Sequence, residues 1–383
     1  MAKLKVMTCL GTRPEIIRLA PTLKRLDATV DHVLVHTGQN WDANLNDVFF
    51  DDLGLRKPDH FLEVDTSSLG AVLGNILIAI EKVLLEERPD AFLILGDTNS
   101  AVAAVIAKRM RIPVYHMEAG NRCFDANVPE EVNRKMIDHI ADFNLCYTEH
   151  ARRNLLAEGL ESRRTYVMGS PLREVFDRHA AGIDGSTVLE QLGLKPQNYF
   201  VVSAHREENV DAPERLQALI TALERLASDY DMPVVVSTHP RTRKRLDALG
   251  IKVQGDIRFL EPFGWFDYNR LQRDCACALS DSGTISEESA MLGFPAVTLR
   301  QAIERPEAMD TGTITVTGLD ADNILDAVAA VRRDYAAGAV PEIPQDYCIG
   351  NTSQRVMNLI LGTARQHHAW SNLKLAPGSS RDR

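Results

Sequence analysis

Three acidic residues in the first half of the chain, Asp97, Glu118 and Glu130, stand where a strand-like run has just ended or a helix is about to begin. Their segments are Gly96-Asp97-Thr98, His116-Met117-Glu118-Ala119-Gly120-Asn121-Arg122 and Pro129-Glu130-Glu131-Val132-Asn133-Arg134. Carboxylates gathered in one crevice raise one another's pKa, which suits general acid and base work. Singly, each serves as well for a helix cap or a dipole partner, Glu130 and Glu131 in a first helical turn above all. Only their joint placement points to catalysis.

Cations and hydroxyls collect in the same way. Gly11-Thr12-Arg13-Pro14-Glu15 sets a glycine turn before a helix whose first turn holds proline, with Arg13 and Arg18 nearby. A helix amino terminus with arginine is an anion site. In the second half, His205 lies in Ser203-Ala204-His205-Arg206-Glu207-Glu208-Asn209 and His239 in Thr238-His239-Pro240-Arg241-Thr242. Ser280-Asp281-Ser282-Gly283-Thr284-Ile285-Ser286-Glu287-Glu288 follows a third run. Ser282, Gly283 and Thr284 can offer N–H groups and hydroxyls to a diphosphate, and Glu288 can accept from a ribose hydroxyl. A capping box with Ser282 or Thr284 as cap and Glu287 as partner explains the same residues without a ligand. A metal on His205 or His239 with Asp97 or Glu118 would lack the spacing of known sites, so none is expected. Neither GxGxxG after a first strand nor a Walker sequence is present, so no nicotinamide or ATP cofactor is expected.

The remaining residues must position these groups. Short β-branched runs at 4–8, 32–36, 91–95, 114–117, 143–147 and 166–168 each lead through a turn into a helical pattern. A second set follows at 199–203, 234–238, 258–260, 276–280, 296–299 and 313–316. Apolar strands alternating with helices mean parallel sheets covered on both faces, and two sets mean two Rossmann-like α/β domains. Ligands bind such sheets beyond the carboxyl ends of the strands, where the reactive residues stand. The expected layout is 1–170 for an N-terminal domain with the carboxylates and 171–350 for a nucleotide-binding domain. A helix at 351–370 is expected to return to the first domain, and 371–383 to form a disordered tail.

Composition agrees. The 383 residues are 45% hydrophobic and 25% charged, enough for two globular domains. A net charge of −10 argues against nucleic-acid and anionic-membrane partners. No apolar stretch reaches the roughly 20 residues a bilayer requires. Six cysteines without paired CxxC spacing fit a reducing, cytoplasmic setting.

GTRPE at 11–15, HTGQ at 36–39, GDT at 96–98, HMEAGNR at 116–122, PEEVNR at 129–134, HREEN at 205–209, THPRT at 238–242, SDSGTISEE at 280–288 and ERPE at 304–307 occur in order. Together they strongly resemble the non-hydrolysing UDP-N-acetylglucosamine 2-epimerase family, from about Lys5 to the last helix. The resemblance implies a glycosyltransferase-B-like fold, two Rossmann-like domains with parallel sheets facing across a cleft, and a homodimer. It implies inversion at C2 of a UDP-N-acetylhexosamine for surface-polysaccharide precursors, by anti elimination of UDP to a 2-acetamidoglycal and re-addition, without metal or nicotinamide. By motif position it makes Asp97, Glu118 and Glu130 the catalytic carboxylates and His205 the histidine near the diphosphate. Arg13, Ser282, Gly283 and Glu288 become UDP-binding residues, with Arg18, Gln39, Arg122, Asn133, Arg134, His239, Thr284 and Arg305 as further substrate contacts.

Three segments depart from familiar members of that family. Arg18 stands where they have lysine, which keeps the charge and alters its reach. Asn40-Trp41-Asp42-Ala43-Asn44 replaces a stretch that helps bind an activating second UDP-N-acetylglucosamine, and 121–128 is shorter than the usual loop. Here the chain is more similar to the branch that forms UDP-N-acetyl-L-fucosamine from the L-talosamine nucleotide by the same inversion. A glycosyltransferase of the same fold is the nearest alternative.

Overall fold

A computed structural model of the chain describes residues 3–39, 50–125, 127–250 and 253–373. Its strands form two all-parallel sheets. The first has the order β3-β2-β1-β4-β5-β6-β7, from β1 (Lys5–Leu10), β2 (Asp31–His36), β3 (His60–Phe61), β4 (Ala91–Leu95), β5 (Val114–Met117), β6 (Phe143–Cys146) and β7 (Thr165–Val167). The second has the order β10-β9-β8-β11-β12-β13, from β8 (Phe200–Ser203), β9 (Val234–Ser237), β10 (Ile257–Leu260), β11 (Cys277–Ser280), β12 (Ala296–Thr298) and β13 (Thr315–Val316). The two parallel α/β sheets that the alternation predicts are therefore present. The segment Asn40 to Asn44 and the tail beyond 373 lie outside the described residues.

Strand β3 has no counterpart among the runs read from the sequence. Its two residues carry no apolar alternation, and Phe61 earns its place by stacking on His36 at 5.1 Å. Burial lowers the His36 pKa to about 4, so the ring is neutral and its Nδ1 accepts from Gly38 N at 3.0 Å.

The second sheet is buried on both faces, and its alternation sorts side chains between two cores. Phe200, Val202, Val234, Val236, Cys277 and Leu279 point to one, under the helices Pro213–Tyr230 and Ala321–Ala336. Tyr199, Val201, Val235 and Ala278 point to the other, under Trp265–Asp274 and Ile285–Leu292. Each fully buried aliphatic or aromatic side chain contributes roughly 1.5–3 kcal/mol, which explains near-continuous apolar strands.

The chain divides into two compact units, Met1–Val175 with Ile349–Arg383, and Phe176–Cys348. The first crossing falls inside the helix Leu172–Asp184, whose Leu172, Val175, Phe176 and Ile183 are all buried. The helix Thr352–Thr363 belongs to the first unit. Glu174 accepts from Ser353 N and Oγ at 2.7 Å, Arg25 Nε donates to Ser353 Oγ at 3.0 Å, and Tyr115 meets Thr363 Oγ1 at 2.6 Å. Among the described residues no helix is long and apolar enough to cross a membrane.

Gly169 marks the seam where this last segment rejoins its unit. Its φ is +86°, and a Cβ there would stand 2.5 Å from Ile349 Cβ. Gly169→Ala is predicted to destabilise the first unit by roughly 1–3 kcal/mol, read as a lowered urea midpoint. A midpoint equal to wild type would show that the seam yields freely.

Candidate active site

In the first unit, sheet register assembles the acidic site. Thr8 of β1 pairs with Leu93 of β4, and Leu95 of β4 with Met117 of β5, so the turns holding Gly11, Asp97 and Glu118 emerge side by side. Arg134 grips Asp97 Oδ2 with Nε at 2.7 Å and Nη2 at 2.5 Å, while Asn133 Nδ2 donates to the Asp97 carbonyl at 2.9 Å. Glu118 lies 3.8 Å from Arg18 Nη1 and accepts from Asn121 Nδ2 at 3.2 Å. Its Oε2 is 3.7 Å from the point a Cβ on Gly96 would occupy, which places it beside the Asp97 turn. The Glu118 backbone is left-handed, φ 65°, a conformation costing a non-glycine residue about 1–3 kcal/mol.

Glu130 is half-buried in the first turn of the helix Pro129–Ile140, one turn before the Asp97-binding Arg134 on the same face. Its neighbour Glu131 takes the structural part. Burial works to raise the Glu131 pKa, but bonds from Cys123 and Arg134 hold it below the ordinary carboxylate value. Arg18 is buried, with its guanidinium 5.4 Å over the Tyr147 ring, and Arg13 is half-exposed at the start of its helix.

Arg122 is not brought to the carboxylates. It is buried, donating to Asp138, to both oxygens of Glu158 and to the Asn121 carbonyl, each at 2.7 Å. Asp138 also lies 2.9 Å from His116 Nδ1, and His116 Nε2 donates to the Gly96 carbonyl at 2.8 Å. Asp138 is thus a supporting residue that motif reading passed over. The signal was an acid directly after Ile137 on the buried face of an amphipathic helix.

In the second unit the same register rule brings His205 to the Ser282–Thr284 turn. Ser203 pairs with Ser280, so the residues after β8 and β11 are neighbours. Buried Asp281 accepts from His205 N at 3.0 Å, Arg206 N at 2.9 Å and Asn209 Nδ2 at 3.1 Å, and lies 3.3 Å from His205 Nδ1. The His205 side chain stays 43% exposed, with the His239 ring 6.1 Å away. Asp281 therefore fixes the histidine. It stood in the quoted motif, and its adjacency to His205 needed the strand order.

The Ser282–Thr284 turn does not form the capping box. Thr284 makes no side-chain cap bond, and Glu287 is fully buried against Arg305 Nε at 2.8 Å. Ser282 Oγ instead contacts Thr284 Oγ1 at 2.9 Å, and Glu288 accepts from Gln272 Nε2 at 2.8 Å. A Cβ on Gly283 would meet Arg305 Nη1 at 2.7 Å and Glu304 Oε2 at 3.0 Å, so the turn rests directly on the ends of this ion-pair cluster. Arg305 is buried behind the turn rather than displayed on it.

Carboxylates beyond one parallel sheet and a serine- and glycine-bearing turn beyond another belong to a protein of the class with two Rossmann-like α/β units. Comparison with known proteins narrows the class. The family model for UDP-N-acetylglucosamine 2-epimerase matches residues 24–361. The structure of UDP-N-acetylglucosamine 2-epimerase from Rickettsia bellii matches with a TM-score of 0.89 at 43% identity, covering 97% of this chain and 100% of that one. That of Methanocaldococcus jannaschii UDP-GlcNAc 2-epimerase in complex with UDP-GlcNAc and UDP matches at 0.87 and 33% identity, covering 94% and 100%. The UDP-2,3-diacetamido-2,3-dideoxy-D-glucuronate 2-epimerase of Pseudomonas aeruginosa is 32% identical over 357 residues, 92% of this chain and 98% of that protein. The chain belongs to the UDP-N-acetylglucosamine 2-epimerase family.

One buried acid of the first unit remains. Glu15, 1% exposed, accepts from Gly11 N at 3.0 Å, from Thr12 Oγ1 at 2.8 Å and from Ser100 Oγ. Burial pushes its pKa up to about 7, against those three bonds and a fourth from Thr98, all of which favour the carboxylate. A folded-state pKa above the unfolded one means that stability is fully present below the ordinary carboxyl value and lost as pH rises through about 7. Glu15→Gln has no such loss. Between pH 5 and pH 8.5 the stability difference between variant and wild type is predicted to move in favour of the variant by roughly 3 kcal/mol at most, measured by urea denaturation. A difference that stays constant with pH refutes the assignment.

Proposed function

We propose that the protein is a non-hydrolysing UDP-N-acetylhexosamine 2-epimerase of the UDP-N-acetylglucosamine/UDP-N-acetylmannosamine type. The observation that carries the reading is the Asp97–Arg134 fork, with Glu118 held beside it by the register of β4 and β5. Inversion at C2 requires a base to take the C2 proton as the C1–O bond breaks and UDP departs with the bonding pair. It then requires an acid to return a proton to the other face as UDP re-adds to C1 of the glycal. Asp97, Glu118 and Glu130 supply both groups.

Arg134 and Arg18 keep carboxylates oriented and balance their charge, and Asn133 fixes the Asp97 turn. Arg13, Gln39, His205, His239, Ser282, Gly283, Thr284 and Glu288 bind the nucleotide sugar, with His205 and the turn stabilising the departing diphosphate. Arg122 and Arg305, buried in ion pairs, serve by holding the loops that carry these contacts. The chemistry requires neither metal nor nicotinamide.

The enzyme acts as a cytoplasmic homodimer supplying surface-polysaccharide precursors. Six free cysteines support the compartment, and exposed Leu69, Ile78 and Leu85 on the helix Leu69–Glu87 support self-association. Buried Arg18, 3.8 Å from Glu118, favours testing the L-talosamine/L-fucosamine nucleotide pair as the second substrate.

Incubation with UDP-N-acetylglucosamine in D2O, without acceptor, is expected to place deuterium at C2, followed by proton NMR. Asp97→Asn is expected to slow exchange by roughly 10²–10⁴-fold, with UDP affinity changed by no more than about threefold. Sugar transfer that requires an acceptor, without C2 exchange on either nucleotide, would establish a glycosyltransferase instead.

A further inference from the structure

Glu15 ends a chain of hydroxyl groups whose direction is fixed by proton counting. Thr98 Oγ1 accepts from Gln39 Nε2 at 3.3 Å and from Ser100 N at 3.3 Å, so both lone pairs are filled and its own proton goes to Ser100 Oγ, 2.7 Å away, or directly to the Glu15 carboxylate, which Thr98 also meets. Ser100 in turn donates to Glu15 Oε1, while Glu15 Oε2 takes Gly11 N and the Thr12 hydroxyl. Every donor along the row Gln39, Thr98, Ser100, Glu15 points toward the carboxylate. At the far end Gln39 Oε1 is buried with no hydrogen-bond partner among the described residues, an acceptor left for a ligand donor.

A proton added to Glu15 Oε1 reverses the row. Glu15 then donates to Ser100 and Ser100 to Thr98, whose oxygen would face three donors with two lone pairs. Its displaced proton needs an acceptor, and the Gln39 amide provides one by turning over, Oε1 toward Thr98 and Nε2 outward. The side chain that offered an acceptor to the site now offers donors.

We propose that Glu15 is a positioning residue which, through Ser100 and Thr98, sets which end of the Gln39 amide meets the substrate. The competent arrangement is the carboxylate one, in which Gln39 Oε1 accepts from a donor of the hexosamine, its acetamido N–H or a hydroxyl. The inference rests on the nucleotide-sugar reading above. Glu15 itself is buried and touches no substrate. Its titration falls near neutrality, pushed up to about 7 by burial. Cys9 of β1 couples to the same field, but burial raises its thiol far beyond the working range, and the charged side chains on the two segments that Glu15 joins are Arg13 and Asp97.

The test compares wild type, Glu15→Gln and Ser100→Ala between pH 5.5 and 8.5. It measures calorimetric affinity for UDP-N-acetylglucosamine and for UDP, and C2 exchange in D2O. Wild-type affinity for the nucleotide sugar is expected to rise about tenfold as pH increases through 7, with UDP affinity unchanged over that step. Glu15→Gln donates its amide to Ser100 permanently, so its affinity is expected to stay low and flat, with KM raised more than kcat is lowered. Ser100→Ala interrupts the row while leaving Glu15 buried and titrating. It is expected to lose the affinity step yet keep the pH dependence of stability, which a purely structural role would not separate. An affinity step retained in Ser100→Ala overturns the proposal, even if Glu15→Gln fails to fold. A pH-dependent wild-type affinity without C2 exchange would instead overturn the epimerase reading and leave the switch standing.

Discussion

The register of parallel strands is the constraint on which the candidate site depends. Because Thr8 pairs with Leu93 and Leu95 with Met117, the three turns after β1, β4 and β5 leave the sheet at one level. A parallel ladder fixes that level over several residues at once, and a slip of one residue would turn a buried face outward. Asp97 and Glu118 therefore meet without touching. Each keeps its own cation, Arg134 for Asp97 and Arg18 for Glu118. The second unit repeats the device, with Ser203 opposite Ser280 and Asp281 tying the two turns together.

Behind these turns lies a layer of buried charge. Asp138 joins His116 and Arg122, Glu131 joins Arg134 and Cys123, and Glu287 and Glu304 hold Arg305. Ion pairs of this depth are weak contributors to net stability, because desolvation offsets most of their attraction. Their geometric effect is stronger. Removing one partner leaves an unpaired buried charge, so each loop has a single low-energy position. The left-handed Glu118 survives on those terms, its strain overcome by the bonds of its neighbours.

The apolar strand runs were legible because burial on both faces leaves little room for polar residues, and their helix partners followed from the alternation. β3 was not, since a two-residue edge strand held by the Phe61–His36 stack has no periodicity to read. Among the candidate site residues, those that follow a strand end could be picked out by position alone. What lay beyond the sequence was division of labour between neighbours. Glu130 and Glu131 are identical in type and adjacent, and only the helix phase shows that Glu131 turns inward to Cys123 and Arg134. Arg122 and Arg305 sit in motifs rich in ligand-binding types, yet they spend their guanidinium groups on carboxylates distant in sequence or across a turn. Sheet order decides such partners, and order is a property of crossovers that local residues do not encode.

Glu15 joins these themes. A carboxyl group that accepts four donors in a dry site would be more stable neutral at the pH where the donors want it charged, and the two demands meet near pH 7. Replacing it by an apolar residue would relieve the desolvation and strand Gly11 N, Thr12 and Ser100 without an acceptor. Replacing it by glutamine would satisfy them and fix the hydroxyl row in one sense. Only a titrating acid leaves the row able to run both ways. A reaction that takes a proton from one face of a carbon and returns one to the other gains from groups whose hydrogen bonds are set before substrate arrives, since no reorganisation is then needed during the proton transfer. Glu15 stands one hydroxyl, that of Ser100, away from Thr98 in the loop that carries Asp97.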